Sequence, residues 1–86
     1  MVRHDDVMVN TYAVIFFMDI FASRLKKTRE KSQLTQSQTA DKLGMKQQSY
    51  QKIESGKASD IRISTLVHIC ETFGVSADWL LGLTED

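Results

Sequence analysis

The sequence predicts an all-α domain, a five-helix bundle containing a helix-turn-helix, preceded by a short strand-like arm. Three observations predict it. Apolar residues recur at helical spacing in several separate stretches. Glycines stand where such stretches should stop, at 44, 56, 74 and 82, and the chain has no proline. Thr35 and Ser76, residue types that cap helix N-termini, stand just ahead of two of the stretches. The 86 residues make one domain with a modest core. The single cysteine, Cys70, allows no intrachain disulfide and fits a reducing cytoplasm. The hydrophobic fraction, 42%, is ordinary for a globular chain.

Residues 1–17 form the arm. Val7 to Phe17 is rich in β-branched and aromatic residues and predicts a strand. It is too short to span a bilayer. Asp5 and Asp6 stand where a secretory signal would carry positive charge. A lone strand leaves its backbone groups unpaired. Pairing with the same strand of a second subunit would satisfy them and give a homodimer. The alternative is that Met18 is the natural start and the extension is incidental.

The bundle occupies residues 18–83, with 84–86 as a tail. Its first helix is expected from Asp19, as N-cap, to Lys31, with Phe21, Leu25 and Thr28 inward and Lys26, Lys27, Glu30 and Lys31 outward. The second opens with a capping box, Thr35 with Gln38, and Leu34 staples onto it. Ala40 and Leu43 point to the core and Gly44 ends the helix. The third covers about residues 47–55, with Tyr50 and Ile53 inward, and stops at Gly56. A polar loop, Lys57 to Arg62, leads to the fourth, about 64–73, with Ile63, Leu66, Ile69, Cys70 and Phe73 as its apolar stripe before Gly74. The fifth starts at the Ser76 cap and carries Trp79, Leu80 and Leu81 before Gly82.

The formal net charge is zero, but it is unevenly spread. Residues 1–20 set Arg3 against Asp5, Asp6 and Asp19, a net −2. Residues 21–57 carry nine Lys and Arg against Glu30, Asp41 and Glu54, a net +6. Residues 58–86 set Arg62 against Asp60, Glu71, Asp78, Glu85 and Asp86, a net −4. The middle of the chain is therefore basic, and local field rather than total charge steers a polyanion. Gln47, Gln48, Gln51 and Lys52 fall on the polar side of the third helix. Amides and ammoniums of this kind read base edges and hold phosphates. Exposed glutamines can equally be solubilising; the combination of two capped helices, a glycine turn and amides at the front of the second helix is what points to double-stranded DNA.

The run from Phe21 to Leu83 resembles the five-helix, lambda-repressor-like domain of the Cro/C1 (XRE) helix-turn-helix family. The markers are Arg29, Leu34, Gln36, Ala40, Leu43-Gly44, Ile53-Glu54-x-Gly56, Leu66, Phe73-Gly74-Val75 and Asp78-Trp79-Leu80. Gln36 with Gln47-Gln48-Ser49 is especially similar to the repressor and Cro of phage 434. The resemblance implies that the third helix lies in the major groove with Gln47 and Gln48 meeting base edges first. Ser49, Gln51 and Lys52 follow on the same helix, with Lys52 on guanine or phosphate. It implies Gln36 on a phosphate at a helix N-terminus, Thr35, Ser55 and Lys57 as further backbone-positioning groups, and Arg62 as a minor-groove arginine. It also implies a partly buried Arg29–Glu54 salt bridge bracing the third helix. Tyr50 and Thr39 depart from the aliphatic residues common at their positions.

Enzymatic chemistry finds no support. His68 and Cys70, two apart on a helix, diverge and cannot share a metal or form a nucleophile–base pair. No Gly-rich phosphate loop or acidic cluster is present, so neither cofactor nor metal is expected. The expectation is a cytoplasmic regulator, a repressor, binding a palindromic operator as a homodimer without a membrane. The rivals are an antitoxin or adaptor whose main task is binding a partner protein, and a membrane-surface or purely structural module using the apolar arm.

Overall fold

The computed structural model describes the backbone of residues 4–85 and the side chains of residues 16–85. Five helices follow one another: α1 (His4–Lys31), α2 (Gln36–Lys42), α3 (Gln47–Glu54), α4 (Ile63–Phe73) and α5 (Ala77–Leu80). Among the described residues there is no strand. The all-α, five-helix expectation is met.

The strand-like arm is corrected. Val7 to Phe17 belongs to α1, and Asp19 is inside that helix rather than its cap. Local β-propensity loses here to continuity. Once the segment around Phe21 to Lys31 is helical, each added residue gains a backbone hydrogen bond for one residue fixed. Neither glycine nor proline interrupts the chain before Gly44. A helix also satisfies its backbone groups without a second chain, so strand pairing between subunits loses its basis. Residues 1–3 of the arm and Asp86 of the tail lie outside the described residues.

The core forms where α1 packs on α3 and α5, α2 on α3, and α4 on α5. Phe21, Leu25, Tyr50, Ile69 and Leu80 are fully buried, with Ala40, Leu43 and Ile53 beside them. Each large apolar side chain so buried contributes roughly 1.5–3 kcal/mol. Thr39 is also fully buried, its hydroxyl donating to the Thr35 carbonyl at 2.9 Å. The apolar stripe of α4 is shorter than expected: Ile63 is 78% exposed. It is the first residue of α4, so the helical period runs to the end of the helix while burial does not.

Two junctions position the rest. Gly44, at φ 65°, closes the turn between α2 and α3 in the left-handed region that suits glycine. At the other end Arg24 clamps α1 to α5. Its Nη1 donates to the carbonyls of Trp79 and, at 2.8 Å, Thr84. Its guanidinium lies 5.1 Å from the centre of the Trp79 ring. Gly82 (φ 78°) comes so close to α1 that a Cβ there would lie 2.9 Å from the Ile20 side chain.

Candidate nucleic-acid interface

The candidate site is built on α2, the glycine turn and α3. Thr35 caps α2: its Oγ1 accepts from the Gln38 backbone at 3.1 Å, and the Gln38 side chain accepts from the Thr35 backbone at 2.9 Å. This reciprocal pair fixes where α2 begins and leaves Gln36 as its first residue. In α3, Tyr50, Ile53 and Glu54 are buried while Gln47, Gln48, Ser49, Gln51 and Lys52 are exposed. One face of a two-turn helix is thus fixed to the core and the other is amides, a hydroxyl and an ammonium. Ser55 is exposed, its hydroxyl donating to the Lys52 carbonyl at 3.0 Å. Lys57 is exposed past Gly56, and its backbone N–H also returns to the Lys52 carbonyl, at 3.1 Å. Arg62 is exposed at the residue preceding α4.

A shallow groove between α3 and the start of α4 brings Ser49, Lys52 and Arg62 together. It also contains Lys46 and His68, neither of them among the DNA contacts expected from the sequence. Lys46 directly precedes Gln47 and Gln48, a basic residue at the tip of a candidate reading helix, and that adjacency was the available signal. His68 had none, because only the packing of α4 beside α3 brings it there.

Beneath α3 stands a buried ion pair. Arg29 Nη2 lies 2.8 Å from Glu54 Oε1 and Arg29 Nε 2.9 Å from Oε2, a forked arrangement. The Arg29 and Glu54 side chains are 13% and 3% exposed. Arg29 Nη1 also donates to the Leu34 carbonyl at 2.8 Å, tying α1 to the residue ahead of the α2 cap. Hydrogen bonding to Glu54 raises the Arg29 pKa. Burial pushes the Glu54 carboxyl upward, but Arg29, the nearby Tyr50 hydroxyl and the Gln36 amide outweigh it and hold it below its ordinary value. The Tyr50 hydroxyl is buried without a hydrogen bond of good geometry. Glu54 is nonetheless close enough to favour the protonated phenol, and burial, the larger cause, pushes its ionisation far above the usual tyrosine range.

Gln36 joins the two helices. Its Nε2 donates to Glu54 Oε1 at 3.2 Å, and its Oε1 accepts from Gln51 Nε2 at 3.2 Å. No periodic pattern links residues 36 and 51, so this contact was invisible in the sequence. Cys70 is half-buried, and burial raises its pKa. Among the described residues no helix is long and apolar enough to cross a membrane.

Comparison with known proteins agrees with this geometry. A family profile described as a helix-turn-helix domain matches residues 22–85. The chain is 42% identical over 62 residues to YonR, an SPbeta prophage-derived uncharacterized HTH-type transcriptional regulator of Bacillus subtilis, covering 72% of this chain and 56% of that protein. Over 67 residues it is 33% identical to the uncharacterized HTH-type transcriptional regulator YobD of the same organism, covering 78% of this chain and 59% of that protein. A third relative there, the uncharacterized HTH-type transcriptional regulator YqaE, is 39% identical over 62 residues, or 72% and 53% of the two chains. The matched segment spans just over half the length of these relatives. With the capped α2, the glycine turn and the braced α3, this match establishes that the chain belongs to the helix-turn-helix family, in its Cro/C1 (XRE) form.

Proposed function

We propose that the chain is a sequence-specific binder of double-stranded DNA that regulates transcription, acting as a repressor in the cytoplasm. The observation that carries this is the division of α3. Its buried face is fixed by Tyr50, Ile53 and the Arg29–Glu54 pair, while Gln47, Gln48, Ser49, Gln51 and Lys52 are exposed together. A helix held rigidly and presenting amides suits the major groove, where glutamine can pair bidentately with adenine for about 1–3 kcal/mol of discrimination. Gln47 and Gln48 meet bases, and Ser49 and Lys52 flank them. Thr35, Gln36, Ser55 and Lys57 hold phosphates and Arg62 enters the minor groove. The domain at 18–83 carries this activity without a catalytic step, as a homodimer on a palindromic operator with half-sites about 34 Å apart.

Selection of bound duplexes from a random pool, at fixed stated salt, tests the proposal. One palindromic consensus is expected. Gln47→Ala should change the consensus at one position per half-site. Lys57→Ala should weaken all duplexes alike and reduce the salt slope by about 1. Absence of any enriched sequence for the unmodified chain overturns the proposal. Sedimentation of the chain and of a truncation starting at Met18 reads the dimer separately.

A further inference from the structure

The geometry points to Gln51 as a positioning residue that fixes the amide of Gln36 for a phosphate, not as a reader of bases; this rests on the DNA-binding proposal above. Glu54 sets the constraint. Ionised and forked to Arg29, its carboxylate can only accept hydrogen bonds. The group Gln36 turns toward it must therefore be the amide nitrogen, as found at 3.2 Å. That choice leaves the Gln36 oxygen facing α3, where it needs a donor. Gln51 supplies one through its own nitrogen, again at 3.2 Å. The buried carboxylate thus sets the direction of two successive amides.

The consequence for binding is chemical. With its oxygen and one N–H engaged, Gln36 has one N–H left, at the N-terminal end of α2. A donor is what a phosphate oxygen requires, and a lone pair there would repel it. Glu54 alone leaves the amide oxygen unheld. Gln51 removes that lone pair from competition and holds the amide against rotation. It also links α2 to α3 at the exposed edge of the Arg29–Glu54 fork, through the same Gln36 amide. Gln51 is one turn beyond Gln47 on α3, so replacing it alters the phosphate contact from a helix that otherwise meets bases.

Three variants test this: Gln51→Met, which keeps length and removes the donor, Gln36→Ala, and the double change. The probes are the random duplex pool and one unrelated duplex, at the same salt. Gln51→Met should select the same consensus as the unmodified chain and bind both the consensus and the unrelated duplex about three- to tenfold more weakly, the scale of one hydrogen bond. In the Gln36→Ala background it should cost nothing further, since Gln51 acts through Gln36. A changed consensus overturns the inference and makes Gln51 a base reader. Unchanged affinity overturns it as well, as does an equal loss in the Gln36→Ala background, which indicates a separate structural role. Failure of the unmodified chain to select any sequence defeats instead the DNA-binding proposal beneath it.

Discussion

Two arginines little more than a turn apart on α1 each tie that helix to the rest of the bundle. Arg29 reaches α3 and Arg24 reaches α5 and the residues after it. Arg29 grips a side-chain carboxylate that is 3% exposed. Arg24 grips two backbone carbonyls and the face of Trp79, while the carboxylate that approaches it, Glu85 at 3.7 Å, is 96% exposed. The difference lies in what each leaves behind when removed. Without Arg29 a carboxylate stays charged and out of water. Without Arg24 the groups left behind are neutral carbonyls, and that of Trp79 still accepts from the Gly82 N–H at 3.1 Å. The same residue type is therefore a rigid brace in one place and a softer clasp in the other.

Removing the brace should have the largest effect. Arg29→Ala should lower unfolding free energy in urea by about 3–5 kcal/mol, the cost of stranding one member of a buried pair. A loss under about 1 kcal/mol would erase the contrast between the two arginines. Acid should remove the same stabilisation progressively. The folded-state pKa of Glu54 lies below its unfolded value of about 4.5, so its contribution is complete above that value and is lost as pH falls through the folded one. The stability gap between Arg29→Ala and the unmodified chain should shrink over that range, and a gap that stays constant into acid would show that the ion pair is not its source. Arg24→Ala should cost less, about 1–3 kcal/mol from charge-assisted hydrogen bonds and the ring contact together. Glu85→Ala should leave the melting temperature unchanged, because an exposed pair contributes little. Equal effects of these two would make the tail ion pair the true clasp. The smallest change is Tyr50→Phe. It deletes a buried hydroxyl with no well-placed partner but close to Glu54, two opposing effects, so stability should stay within about 1 kcal/mol of the unmodified chain. A clear loss would show that the hydroxyl supports the Arg29–Glu54 pair.

This contrast also sets what could be read in the sequence. Helix caps at Thr35 and Ser76, the inward residues Phe21, Leu25, Tyr50 and Ile53, and the turn at Gly44 follow from local chemistry and periodicity. Arg29 and Glu54 stood out as charged residues in a family pattern, so their meeting was foreseeable. Arg24 was not, because its partners are carbonyls, which every residue carries. The Gln36–Gln51 contact was hidden for a related reason: its orientation is dictated by a carboxylate three residues further along α3. Val7 to Phe17 misled because β-propensity describes isolated residues, whereas the segment continues a helix already formed. Ile63 misled in the opposite sense, since periodicity persists where packing has ended. The exposed amides of α3 were legible as a set; how they would meet a duplex depends on how the domain docks, which is fixed by contacts outside the chain.

Trp79 is the chain's single tryptophan, and Arg24 lies across its ring. Its emission should therefore sense one seam only, α1 against α5, whereas far-ultraviolet dichroism sums over every helix. Melting curves that coincide in the two signals would mean that clasp and brace release in one cooperative step. Emission that shifts first would mean that the clasp opens while the braced helix-turn-helix stays folded.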